Sequence, residues 1–127
     1  MSYRVNSWEF EQVTRLDANG RYQYFLGKVA DWQEIWTVGD DDGYQLLADG
    51  QNELVPVWPA EAYAAASCKT GQSPKKIDLT DWIDKWAPGM KNGGRKVAVF
   101  PLASGQAATL GPDRLLNDLQ QYLDAYE

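Results

Sequence analysis

Asp40, Asp41, Asp42 and Gly43 have the carboxylate density of a calcium loop. With Gly43 in the glycine slot of an EF-hand, the first ligand position falls on Val38 and the last on Asp49. An apolar first position and a missing bidentate Glu defeat that pattern, so the stretch reads as a hairpin turn. Gly89 to Lys96 has the glycine spacing of a phosphate loop, but Arg95-Lys96 stands where Lys-Ser or Lys-Thr is needed. It also runs from helix to strand, the reverse of a phosphate loop, and reads as a basic turn. Asp78, Asp81 and Asp84 recur at a spacing of three around a helix start. Paired carboxylates do acid–base work only in a cleft that raises one pKa; helix-start electrostatics account for these three.

Cys68 is the one cysteine, and the 127 residues contain no histidine. These counts exclude Cys/His zinc sites, disulfide frameworks, and Ser-His or Cys-His catalytic pairs. Lys69 is expected to lower the Cys68 thiol pKa somewhat. With no imidazole to activate it, the thiol reads as structural. No catalytic residue, metal or cofactor is expected. Six tryptophans (Trp8, Trp32, Trp36, Trp58, Trp82 and Trp86) are a large share of so short a chain. Trp82 and Trp86 lie one helical turn apart and share a face. Most of the six are expected in the core, with Trp36 or Trp58, beside turns, as the partly exposed ones that could anchor a partner.

The net charge is −6. Binding to phosphate backbones needs a basic footprint, so no nucleic-acid partner is expected. The charge is uneven: residues 31–53 hold seven acids and no base, whereas residues 69–96 hold seven bases against three acids. The N-terminal residues lack the apolar core of a targeting signal. No apolar run reaches the length of a membrane span. A cytoplasmic protein without a membrane partner is the expectation.

The elements that position these residues follow from periodicity. Ser7 and Asp17 are expected to cap two opening helices, with Trp8, Val13 and Leu16 on the first one's inner face. Gln33 to Val38, Tyr44 to Ala48 and Glu53 to Val57 read as three strands in a meander, the last an edge or a strand end because of Pro56. Trp58-Pro59 opens a helix. Ile77 and Leu79 mark a short extended piece, Thr80 a helix cap, and Pro88-Gly89 that helix's end. Lys96 to Phe100 is a buried strand, paired with Gln106 to Leu110. Pro112 starts an amphipathic last helix with Leu115, Leu116, Leu119, Tyr122, Leu123 and Tyr126 on one stripe. The fold class is α+β: an antiparallel or mixed sheet of about five short strands with helices packed on it, in a single domain over residues 1–127.

Several signatures occur in order along the chain: Arg21-Tyr22-x-Tyr24-Phe25; Val29-Ala30-Asp31-Trp32-x-Glu34-x-Trp36; Leu54-x-Pro56-Val57-Trp58-Pro59 with Glu61-x-Tyr63-Ala64; Trp82-x-x-x-Trp86-x-Pro88-Gly89; and Val97-Ala98-Val99-Phe100-Pro101. The chain thereby resembles the bacterial domain-of-unknown-function family 2750 over roughly residues 16–125. The resemblance implies a small, single-domain cytoplasmic protein and brings no catalytic residue with it.

The functional expectation is a non-enzymatic protein-binding domain. Its most concrete form is a small acidic immunity protein that binds and neutralises a cognate toxin. The partner would be a basic protein, steered by an acidic face of Asp40, Asp41, Asp42, Asp49 and Glu53 and anchored by Trp36. The alternative is a small-molecule-binding or regulatory domain. Oligomeric state is not legible.

Overall fold

Asn6 and Asp17 start the first two helices, because each offers a side-chain oxygen to an otherwise unpaired backbone N–H. In a computed structural model describing residues 3–41, 43–49, 52–102 and 107–125 (backbone alone at 48, 49 and 52), Asn6 caps α1 (Ser7–Thr14) by accepting from Glu9 N. Asp17 caps α2 (Ala18–Trp32) by accepting from Gly20 N at 2.7 Å. The α1 cap is therefore Asn6, not Ser7. Only Val13 of the expected inner face is buried, while Trp8 and Leu16 are exposed. Gln33 closes α2 in a left-handed conformation with φ 57°, and the chain turns into β1 (Glu34–Asp40).

The expected meander is instead two hairpins in two sheets. β1 pairs antiparallel with β2 (Gly43–Tyr44) and, along its length, with β5 (Ser73–Asp78). β3 (Leu47–Asp49) pairs antiparallel with β4 (Asn52–Val57) in a second sheet of order β3-β4-β6-β7. There β6 (Lys96–Val99) lies parallel to β4 and antiparallel to β7 (Ala108–Leu110). One antiparallel bridge joins the sheets: Trp36 and Trp58 exchange backbone N–H···O bonds of 2.8 Å. Pro56 thus sits in an interior strand rather than at an edge. It lies beyond the three residues of β4 that β3 pairs, so its missing N–H breaks no ladder bond. Its carbonyl accepts from Thr37 Oγ1 at 2.7 Å.

Two helical boundaries also differ from expectation. α3 is Glu61–Ala66, because Trp58 is still paired to Trp36 and cannot enter a helix. The helix opened by α4 (Leu79–Asp81) starts after Asp78, which makes no side-chain cap bond, so Thr80 lies inside the helix rather than capping it, and the helix does not stop at Pro88-Gly89. It widens into a π-turn over Trp82–Trp86 and runs on as α5 (Ala87–Asn92). Proline cannot donate to the preceding turn and its ring crowds the carbonyl four residues back. The wide turn, closed by Ala87 N to Trp82 O, relieves that conflict and lets the helix continue.

Gly94, with φ 71°, turns the chain into β6. Gly111 then precedes α6 (Pro112–Asp124), whose Leu115 and Leu119 are buried. The expected stripe position Tyr126 lies outside the described residues. α2 packs on α6 and on β1, β6 and β7, while α3 packs on β1 and β5. One continuous core results, with Phe25, Val29, Ile35, Val57, Trp82 and Val99 among its fully enclosed side chains. No helix among the described residues is long and apolar enough to cross a membrane.

Candidate functional site

The β1–β2 hairpin closes tightly because Gly39 faces Tyr44 across the ladder. A Cβ on Gly39 would stand 2.5 Å from the Gly43 carbonyl oxygen, so only glycine fits. This pairing fixes Tyr44, which is 52% exposed. Its ring meets Trp86 edge-on, with centroids 4.6 Å apart at 77°. Trp86 in turn stacks on the fully buried Trp82, at 5.8 Å and 12°. A surface aromatic is thus braced by two rings that descend into the core. The π-turn carries both of those rings, and such turns are frequent at functional sites.

Beside Tyr44 lies a groove of about 440 Å³ with Leu46, Val55, Trp86 and Met90 on its walls and Lys85 and Arg95 on its rim. Leu46 is 39% exposed. The rim charges have partners: Arg95 Nε lies 3.8 Å from Glu53 Oε1, and Lys85 Nζ 3.7 Å from Asp81 Oδ1. The arrangement is an apolar centre with a polar border, as found in protein-docking surfaces.

The six residues expected to bind a partner are placed as follows. Asp40 and Asp41 are exposed at the hairpin beside Tyr44, and Asp40 lines the same hollow as Tyr44 and Gln45. Glu53 is exposed and ion-paired to Arg95. Asp49 is in β3 opposite Asn52, but its side chain lies outside the described residues, as does the whole of Asp42. The Trp36–Trp58 bridge makes β1 and β4 antiparallel, so both hairpins extend toward one end of the molecule. Trp36 is a correction. It and Trp58 are 6% and 3% exposed, because the bridge between the sheets buries both. The exposed tryptophans are Trp8 and Trp32. The surface anchors missed in the sequence are Tyr44 and Leu46. Their signal was faint: two large apolar side chains on one face of a strand that follows an acidic turn.

Cys68 is also corrected. Its Sγ contacts the Ala64 carbonyl at 3.5 Å, and burial pushes the thiol pKa up, outweighing any help from Lys69. Asp81 pairs with Lys85, and Asp78 lies 4.0 Å from Lys76. Among the described residues no group of three or more Cys, Asp or Glu side chains converges.

A second concavity, again about 440 Å³, opens where the two sheets separate. Val38, Leu47, Pro56, Trp58, Pro101 and Leu102 supply its apolar walls, and Gln45, Ser67 and Lys69 its polar side. The bend that forms one wall is unusual: Phe100 has φ 56° directly before Pro101. A left-handed non-glycine residue costs roughly 1–3 kcal/mol and persists only when its surroundings over-determine it. Here three contacts do so. Phe100 N donates to Val57 O at 2.7 Å, the buried Arg21 Nε donates to Phe100 O at 3.1 Å, and Trp58 Nε1 donates to Pro101 O at 3.1 Å.

No curated protein matches the chain. The residues that build the braced hairpin, the bridge and the bend all fall within residues 22–119, apart from Arg21. The model of the family described as protein of unknown function (DUF2750) matches over that same span of the 127 residues, and the chain belongs to that family.

Proposed function

We propose that this chain is a non-enzymatic protein-binding domain that docks a basic protein partner on the face around Tyr44 and Leu46. The carrying observation is Tyr44, half exposed yet held edge-on against Trp86. A pre-ordered aromatic loses little conformational freedom on binding and makes an efficient anchor. The rim ion pairs neutralise one another, and the exposed Asp40 and Asp41 add acidic charge beside the face. That charge speeds encounter with a basic partner and sets a salt dependence. The net charge of −6 acts in the same sense. In its most concrete form the partner is a toxin domain and the chain its immunity protein, acting in the cytoplasm by covering the toxin's active site.

The test is capture by the tagged full chain at low and high salt, with Tyr44→Ala and Asp40→Asn/Asp41→Asn alongside. A basic protein retained by the natural chain, lost with Tyr44→Ala and weakened by salt supports docking at this face. Capture unaffected by both variants overturns it. For the immunity form, the captured protein is expressed alone and together with the chain. Growth arrest relieved only by co-expression supports that form, and no arrest removes it.

A further inference from the structure

We infer that the cleft between the two sheets is a binding site for a small monocarboxylate with an apolar body, separate from the docking face at Tyr44. β4 and β6 are the parallel pair of the larger sheet, and their chain segments are joined through α3, β5 and the helix that runs from α4 through the π-turn to α5. In open parallel α/β sheets ligands collect outside the carboxyl ends of the strands, and the β4–β6 pair has an end of that kind. The cleft lies there: Trp58 follows β4, and Pro101 and Leu102 follow β6. The left-handed Phe100 directs the chain away from the strand line and sets Pro101 and Leu102 as a wall. Arg21, Trp58 and Val57 hold that bend, so the wall is preformed. A volume of about 440 Å³ with mostly apolar walls suits a small organic molecule.

The polar side selects the charge. Lys69 is the only charged residue among the described lining residues, in a chain of net charge −6. It is in none of the ion pairs among the described residues. Gln72 organises the neighbouring donors: its Oε1 accepts from Lys69 N at 2.8 Å, and its Nε2 donates to Gln45 Oε1. Gln45 and Ser67 also line the cleft, and an amide and a hydroxyl can each donate a hydrogen bond. One cation with two neutral donors matches one carboxylate. The apolar walls match an aliphatic or aromatic body rather than a second charge.

The experiment titrates the full chain with hexanoate and benzoate, with the neutral hexanamide and benzamide, and with acetate. Binding is read from NMR shifts of the Trp58 indole N–H and of the Ser67 and Lys69 backbone amides. Saturable shifts at these positions with the two larger acids are expected. The amides should bind about tenfold more weakly, and acetate should not saturate. Lys69→Gln should lose a similar factor with unchanged circular dichroism, and Lys69→Arg should retain binding. Lys69 is exposed, so neither variant threatens folding. Equal affinity for acids and amides, shifts centred on Trp86 instead of Trp58, no saturation with any probe, or full binding by Lys69→Gln would each overturn the site. Tyr44→Ala should leave carboxylate binding unchanged, so failure here and failure of the docking face are distinguishable.

Discussion

Glu9 accepts from two phenols at once. Tyr3 and Tyr24 both donate to its carboxylate, and the Tyr24 hydroxyl lies 3.0 Å from that of Tyr63. Burial, followed by the hydrogen bond to Glu9, pushes the Tyr3 phenol up to about 12. Burial pushes Tyr63 up to about 12 as well. Tyr24 and Tyr22 are also raised, by burial first and then by their bonds to Glu9 and Asp118. In the unfolded chain tyrosines ionise near pH ~10. The unfolded state therefore releases these protons first, and the stability they confer is intact below about pH 10. It is lost as pH rises from about 10 through about 12. We expect cooperative alkaline unfolding in that window, followed by circular dichroism and tyrosinate absorbance. Tyr24→Phe should make the loss less steep, and an unchanged profile would refute the coupling. Residue type alone showed none of this network. Glu9 and Tyr24 are ordinary polar and aromatic residues until α1 folds across α2.

The starts of α2 and α6 were legible because their signals, the Asp17 cap and Pro112, are local, whereas those of α1, α3 and α4 lie one or more residues from the expected positions. Asp17 lies three residues before the N–H it accepts from. Asp17→Ala should cost about 1 kcal/mol, measured by urea denaturation, and Asp17→Asn should cost far less. The β1–β2 hairpin is stricter. Gly39→Ala forces a Cβ into backbone atoms at Gly43 and Tyr44, so the hairpin must open and Tyr44 must move. We expect loss of any Tyr44-dependent partner binding, with the β1–β5 ladder still protected in amide hydrogen exchange. Protection lost from β5 as well would show that the hairpin is not a separable element. Pro88 was misleading for a physical reason. Its lack of an N–H is usually a stop signal, but a π-turn makes room for it. Periodicity at one residue cannot show that the next turn will widen.

The two sheets share one core, so they should unfold together. Leu119 on α6 is 1% exposed, and α6 is tied to α2 by Tyr22 to Asp118 and by Tyr122 to Gln23 at 2.8 Å. Leu119→Ala should cost about 2–5 kcal/mol. Tryptophan fluorescence and far-UV circular dichroism should give coincident transitions in both the natural chain and the variant. Separate transitions would mean that the Trp36–Trp58 bridge does not couple the sheets. The sequence by itself determined the α+β class, most helices and strands, the acidic charge and the absence of imidazole chemistry. Those are properties of composition and of neighbours within one turn or one strand. Tertiary structure decided which strands share a sheet, that Trp36 is enclosed while Tyr44 is not, and that Lys69 lines a cleft beside Trp58. These depend on pairings such as Leu54 with Lys96 and Trp36 with Trp58, which bring distant segments together through contacts that no local pattern encodes.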